Sequence, residues 1–145
     1  MLKAMIPRQA TLQLQSLAQW YPVVAVTGPR QSGKTTLVQA CFPGKPYVSL
    51  EDPDVRESAL SDPRRFLALY PAGAVLDEVQ RVPELFSYLQ TVVDRDRVMG
   101  AWVLTGSQQL GLRSQISQTL AGRVGLLELL PFTLSELQAA AAGTS

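Results

Sequence analysis

The sequence predicts an α/β sandwich built on a five-stranded parallel sheet. Three observations carry that prediction. Short β-branched runs such as Val23-Val24-Ala25-Val26-Thr27 lack the alternation of a half-exposed strand, so they read as buried on both faces. Amphipathic stretches separate these runs, as crossover helices must in a parallel sheet. A glycine-containing loop joins the first run directly to the next helical pattern.

Taken in order, Leu12 to Trp20 sets Leu12, Leu14, Leu17, Ala18 and Trp20 among polar residues, a helix that should end near Pro22. Val23 to Thr27 is the first strand. A helix should run from Gly33 to about Cys41, with Leu37, Ala40 and Cys41 on one side, until Pro43, Gly44 and Pro46 stop it. Tyr47 to Leu50 is the second strand. Asp62 followed by Pro63 opens a helix, with an N-cap acceptor and a proline at the first helical position. Phe66, Leu67, Leu69 and Tyr70 supply its apolar face before Pro71. Ala74 to Leu76 forms a third strand that ends in Asp77-Glu78. Pro83 to Asp94 carries the helical stripe Leu85, Phe86, Leu89, Val92 and Val93. Ala101 to Leu104, Gln108 to Leu120 and Val124 to Leu129 then read as strand, polar-faced helix and strand.

Composition narrows the chemistry. The 145 residues include 13 basic and 12 acidic side chains, a net charge of +1, which gives no strong field for nucleic acid or anionic lipid. Hydrophobic residues make up 46% and charged ones 17%, the balance of a globular domain. The chain has no histidine, which rules out imidazole catalysis and histidine metal sites within it. One cysteine, Cys41, excludes an internal disulfide or a clustered thiolate zinc site and suits a reducing compartment. No signal-peptide core opens the sequence, and no run nears the roughly 18 apolar residues that span a bilayer. A cytoplasmic domain with no membrane partner is expected.

The chemistry concentrates in Gly28-Pro29-Arg30-Gln31-Ser32-Gly33-Lys34-Thr35-Thr36, which fits the phosphate-binding pattern G-x-x-x-x-G-K-[ST]. Its glycines allow a tight turn and let backbone amides approach phosphate without a Cβ between them. The following helix aims its positive end at the same anion. Lys34 should reach the β- and γ-phosphates, and the Thr35 hydroxyl should complete a Mg²⁺ shell of phosphate and water oxygens. A chance match in a chain of this size is expected about once in a few hundred sequences. Its place between an apolar strand and a helix is the context that the motif requires.

Other strand ends support the loop. Asp77 closes an apolar strand, where parallel sheets place ligand-binding groups, and should hold Mg²⁺ through water. Glu78 beside it should orient and polarise an attacking water. Thr105 and Ser107 follow the fourth strand, where a hydroxyl could touch the γ-phosphate or cap the next helix. Arg123 precedes the fifth strand and by itself reads as a surface charge.

Together these blocks resemble AAA+ superfamily ATPases of the uncharacterised prokaryotic "ATP-binding protein" type, in which an AAA domain precedes a C-terminal domain of unknown function. The resemblance runs from about residue 8 to 137. It rests on Val26 to Gln31 with Gly33 to Leu37, on Leu76 to Leu85, on Leu104 to Ser107, on Leu120 to Arg123 and on Leu130 to Leu137. It implies the strand order 5-1-4-3-2 of a P-loop NTPase three-layer sandwich. Lys34 and Thr35 become Walker A residues, and Asp77 and Glu78 become Walker B. Thr105 or Ser107 takes the sensor-1 place, usually an asparagine, and Arg123 takes the arginine-finger place. Arg30, Gln31, Gln80 and Arg81 match the family pattern without an assigned role.

Residues 1–137 are therefore expected to form one ATPase core using ATP and Mg²⁺. Thr133 and Glu136 make a capping-box signal that should open a helix, and residues 138–145 are expected to be a short alanine-rich tail at a truncation point, without the helical lid that the resemblance implies. Arg123 is expected at the nucleotide-side edge of the sheet, acting in trans on a second copy. The rival expectations are a nucleotide-switched interaction module with little turnover and a small-molecule phosphotransferase. A GTPase is weaker, since no Asn-Lys-x-Asp segment occurs.

Overall fold

The computed structural model describes residues 8–29, 33–107 and 112–129. The helices are α1 (Arg8–Trp20), α2 (Lys34–Cys41), α3 (Pro53–Ser61), α4 (Pro63–Ala68), α5 (Leu85–Asp96) and α6 (Leu112–Thr119). The strands are β1 (Val23–Thr27), β2 (Tyr47–Ser49), β3 (Val75–Asp77), β4 (Trp102–Gly106) and β5 (Val124–Glu128), and a 3₁₀ turn spans Val79–Arg81. All pair in parallel in the order β2-β3-β4-β1-β5, the expected order read from the other edge. The capping box at Thr133 and the tail 138–145 lie outside the described residues.

Strand parity sorts the core into two layers. Val23, Ala25, Trp102, Leu104 and Leu76 pack against α3 to α6 through Ala59, Phe66, Leu85, Phe86, Leu89, Leu112 and Ile116. Val24, Val26, Val75 and Val103 pack on the other face against Leu14 of α1 and Leu37 and Val38 of α2. The central strands β1 and β4 are buried along their whole length, which explains their unbroken apolar runs.

Three amphipathic assignments need correction. On α1 the buried stripe is Ala10 and Leu14 with Leu17 and Ala18 beside it, whereas Leu12 and Trp20 are 60% and 74% exposed. Leu12 and Trp20 lie about 200° and 240° around the helix from Leu14 at 100° per residue, so they cannot share its face. Ala40 is exposed on α2, where Val38 joins Leu37 instead, and Leu69 is exposed just beyond α4. Helix α3 has no counterpart in the sequence reading. Asp52 accepts a hydrogen bond from the Asp54 amide at 2.9 Å, and Pro53 takes the first position, the same Asp-Pro start that opens α4.

Candidate nucleotide site

Parallel strands collect their C-terminal ends on one edge, and the connection from β1 to the distant β2 opens a switch point there. The loop from Gly28 leaves β1 at that edge, beside the end of β4, where the Gly28 amide donates to the Gly106 carbonyl at 3.3 Å. Gly33 has φ +85°, a left-handed conformation in which a side chain would be strained, and its carbonyl accepts the Leu37 amide at 2.9 Å to start α2. Arg30, Gln31 and Ser32 lie outside the described residues. Thr36 lies half-buried on α2, one residue beyond Thr35.

Lys34 is buried, and its ammonium donates to the carbonyls of Gly28 at 3.0 Å and Pro29 at 3.2 Å. The cation thus folds back over the loop and braces it. A phosphate oxygen would offer that ammonium an anionic acceptor in place of two neutral ones.

Asp77 ends β3 and shares the α2 side of the sheet with Val75. It is 8% exposed, and both its carboxylate oxygens accept hydroxyl donors: Thr105 on Oδ1 and Tyr47 on Oδ2. Burying a carboxylate without such partners would be costly. The Tyr47 phenol is pushed well above its ordinary pKa, first by burial and then by the bond to Asp77 and its negative charge. The hydroxyls of Thr35 and Ser49 act on the same phenol in the opposite direction. Tyr47 therefore stands between the two residues expected at the metal, Thr35 and Asp77. Sequence reasoning placed Tyr47 in a strand and missed this role, since its ring reaches along the sheet from a position paired with Val75.

These are hard oxygen donors of the kind Mg²⁺ takes, in a number that leaves room for phosphate and water oxygens. Among the described residues no group of three or more His, Cys, Asp or Glu side chains forms a metal cage. The fit is to an ion shared with a ligand.

Glu78 has φ +55° and is 7% exposed, and its Oε2 accepts from Gln80 Nε2 at 2.9 Å. Such a conformation in a non-glycine residue stores strain and often marks a functional site. Ser107 is buried directly after β4.

Arg123 is elsewhere. β5 runs parallel to β1 with Val124 opposite Val23, and the Val23 amide donates to the Arg123 carbonyl at 3.2 Å. The residue before β5 therefore sits at the N-terminal edge of the sheet, opposite the phosphate loop, and its expected place at the nucleotide-side edge is wrong. There its guanidinium grips Asp94, Nε to Oδ1 at 2.6 Å and an Nη to Oδ2 at 2.9 Å. That contact holds the Asp94 carboxyl below its ordinary pKa.

Known proteins resemble this chain in sequence and in fold. The profile of a family described as "AAA domain" (AAA_14) matches residues 21–138. Uncharacterised proteins of Mycobacterium bovis and Mycobacterium tuberculosis are 35% identical over 136 residues, 93% of this chain but 31% of their own length. The chain thus spans about a third of those curated relatives. Among solved structures, the Walker-type ATPase PABY2304 of Pyrococcus abyssi superposes with a TM-score of 0.61 at 17% identity, over 91% of this chain and 55% of that one. AMPPCP-bound DnaA from Aquifex aeolicus gives 0.53 at 20% identity, over 83% and 44%. At those identities the solved structures show a shared fold, that of P-loop ATPases. Since the family profile covers most of the sequence, from Tyr21 through the loop, both acids and all five strands, this chain belongs to the AAA_14 family of AAA domains.

Proposed function

We propose that the chain binds ATP with Mg²⁺ and hydrolyses it to ADP and phosphate. The observation that carries this reading is the convergence of three neighbouring strand ends: β1 delivers the loop and Lys34, β3 delivers Asp77 and Glu78, and β4 delivers Thr105. The loop amides and Lys34 hold the phosphates. Thr35 and Asp77 hold the metal, Asp77 through water and fixed by Thr105 and Tyr47. When bound, Mg²⁺ neutralises charge that develops on the β- and γ-oxygens. Glu78 orients a water for in-line attack and accepts its proton. Such a core works in the cytoplasm, where ATP and Mg²⁺ are supplied.

Arg123 lies too far from its own loop to act there. Any action on phosphate is on a neighbouring copy and requires release from Asp94. Equilibrium ATP binding with and without Mg²⁺, measured beside phosphate release on the same sample, tests the reading. Binding without turnover would instead identify a nucleotide-switched module.

A further inference from the structure

Gln80 matches the family pattern without a role, and its surroundings supply one. The side chain is buried, 8% exposed, on the 3₁₀ turn after β3. Its Nε2 donates to Glu78 Oε2 at 2.9 Å. An ionised carboxylate only accepts, so the amide must present its NH₂ group there and turn its carbonyl away. That carbonyl, Oε1, is buried and has no hydrogen-bond partner.

Oε1 lies over Gly106. A Cβ built on Gly106 would meet it at 2.3 Å and Leu112 Cδ2 at 2.7 Å, so glycine is what lets Gln80 cross the end of β4. On the next strand Thr27 stands opposite Gly106 in the register. Thr27 and Gly106 share the sheet face of Val23, Ala25, Trp102 and Leu104 by strand parity. The Thr27 hydroxyl is the other buried side-chain polar atom without a partner among the described residues. An orphan acceptor and an orphan donor thus occupy adjacent register positions on one face.

We propose that Gln80 is the positioning residue for Glu78, anchored by the Thr27 hydroxyl across Gly106. The proposal rests on the reading of Glu78 as the residue that activates water. The Gln80 amide holds Oε2 of Glu78 and leaves Oε1 to receive a proton from water. Thr27 immediately precedes Gly28. The two orphan atoms are not bonded to each other in this structure, and closing the Thr27 hydroxyl onto Gln80 Oε1 would tie the glutamate to the root of the phosphate loop, through the face opposite the Asp77–Thr105–Tyr47 group.

The test is a double-mutant cycle on the full chain with Gln80→Leu, Glu78→Gln and both together, reading kcat, ATP affinity in Mg²⁺ and thermal stability. Gln80→Leu should keep the ATP Kd within about threefold and lower kcat by about tenfold or more, because the carboxylate is misplaced while the phosphate cradle is intact. Added to Glu78→Gln it should lower kcat no further. Thr27→Val should reduce kcat in the same direction and add nothing to Gln80→Leu. If Gln80→Leu fails to fold, Gln80→Met keeps the length of the side chain and removes the donor, with the same expectations. Wild-type turnover in the Gln80 variant while Glu78→Gln is inactive overturns the proposal and leaves the ATPase reading standing. Losses that add in the double mutant, or an ATP Kd that weakens in step with kcat, mean a structural role only and also overturn it. Wild-type turnover in Glu78→Gln overturns the reading of Glu78 as the residue that activates water, and with it the proposal, whereas absence of turnover in the parent overturns the ATPase reading itself.

Discussion

Thr105 donates its hydroxyl to Oδ1 of Asp77 from the adjacent strand, so the residue proposed for the sensor-1 place orients the carboxylate proposed for the metal. With Tyr47 on Oδ2, Asp77 is held at both oxygens before any ligand arrives. Donors fixed by a folded sheet in this way cost no reorganisation when a charged ligand binds.

Tyr47→Phe removes one of those holds and leaves the phosphate loop alone. Mg²⁺ titrated against a fixed ATP concentration should half-saturate about tenfold higher, as losing an outer-shell partner commonly costs. ATP binding without Mg²⁺ should not change. The phenol also carries a pH signature. Because its folded pKa is raised, its contribution to stability is present below the ordinary value of about 10 and lost as pH rises further. Melting curves of the two proteins should therefore converge at strongly alkaline pH, and an unchanged Mg²⁺ midpoint would exclude the role.

Lys34→Ala takes away the ammonium that bonds the Gly28 and Pro29 carbonyls. ATP affinity should fall by about 2–3 kcal/mol, roughly 30- to 150-fold. The protein without nucleotide should lose about 1–2 kcal/mol as well, because the same group braces the loop through those two carbonyls. Calorimetric binding and denaturant melts measure the two effects separately. A fully stable variant with normal ATP affinity would remove Lys34 from the site.

Arg123→Ala should leave ATP affinity and turnover of dilute protein unchanged, because β5 carries Arg123 to the opposite edge. Its effect should appear in stability, through Asp94. The guanidinium holds that carboxyl low, so the contribution is present above about pH 4 and fades as pH falls through the folded value. The wild-type advantage in melting temperature should shrink from pH 7 toward pH 3. If turnover instead rises with concentration, and a mixture of Arg123→Ala with Lys34→Ala recovers activity neither shows alone, Arg123 acts on a neighbouring copy.

Sequence conveyed the sheet well, because β1 and β4 are buried on both faces and their residues must all be apolar. Gly28, Lys34, Asp77 and Thr105 were legible for a related reason: each follows or ends such a run. What escaped depended on direction. Nothing in Tyr47 as a letter says that its ring leans along β2 to Asp77, and Gln80 gains meaning only when Gly106 and Thr27 lie beside it. Arg123 was misplaced by counting residues to the strand and not asking which end of a parallel strand they precede. Helix α3 was different, since Asp52-Pro53 offered the signal that served for α4.

The most direct test of the nucleotide site is Glu78→Gln, with bound ATP and released phosphate measured on one sample. The substitution preserves shape but removes the group that accepts a proton from water, whereas Asp77→Asn should weaken the Mg²⁺ dependence instead. The account predicts that Glu78→Gln binds ATP with Mg²⁺ as tightly as the parent and releases phosphate at least about a hundredfold more slowly. Phosphate release at the parent rate, with ATP bound equally well, would contradict it.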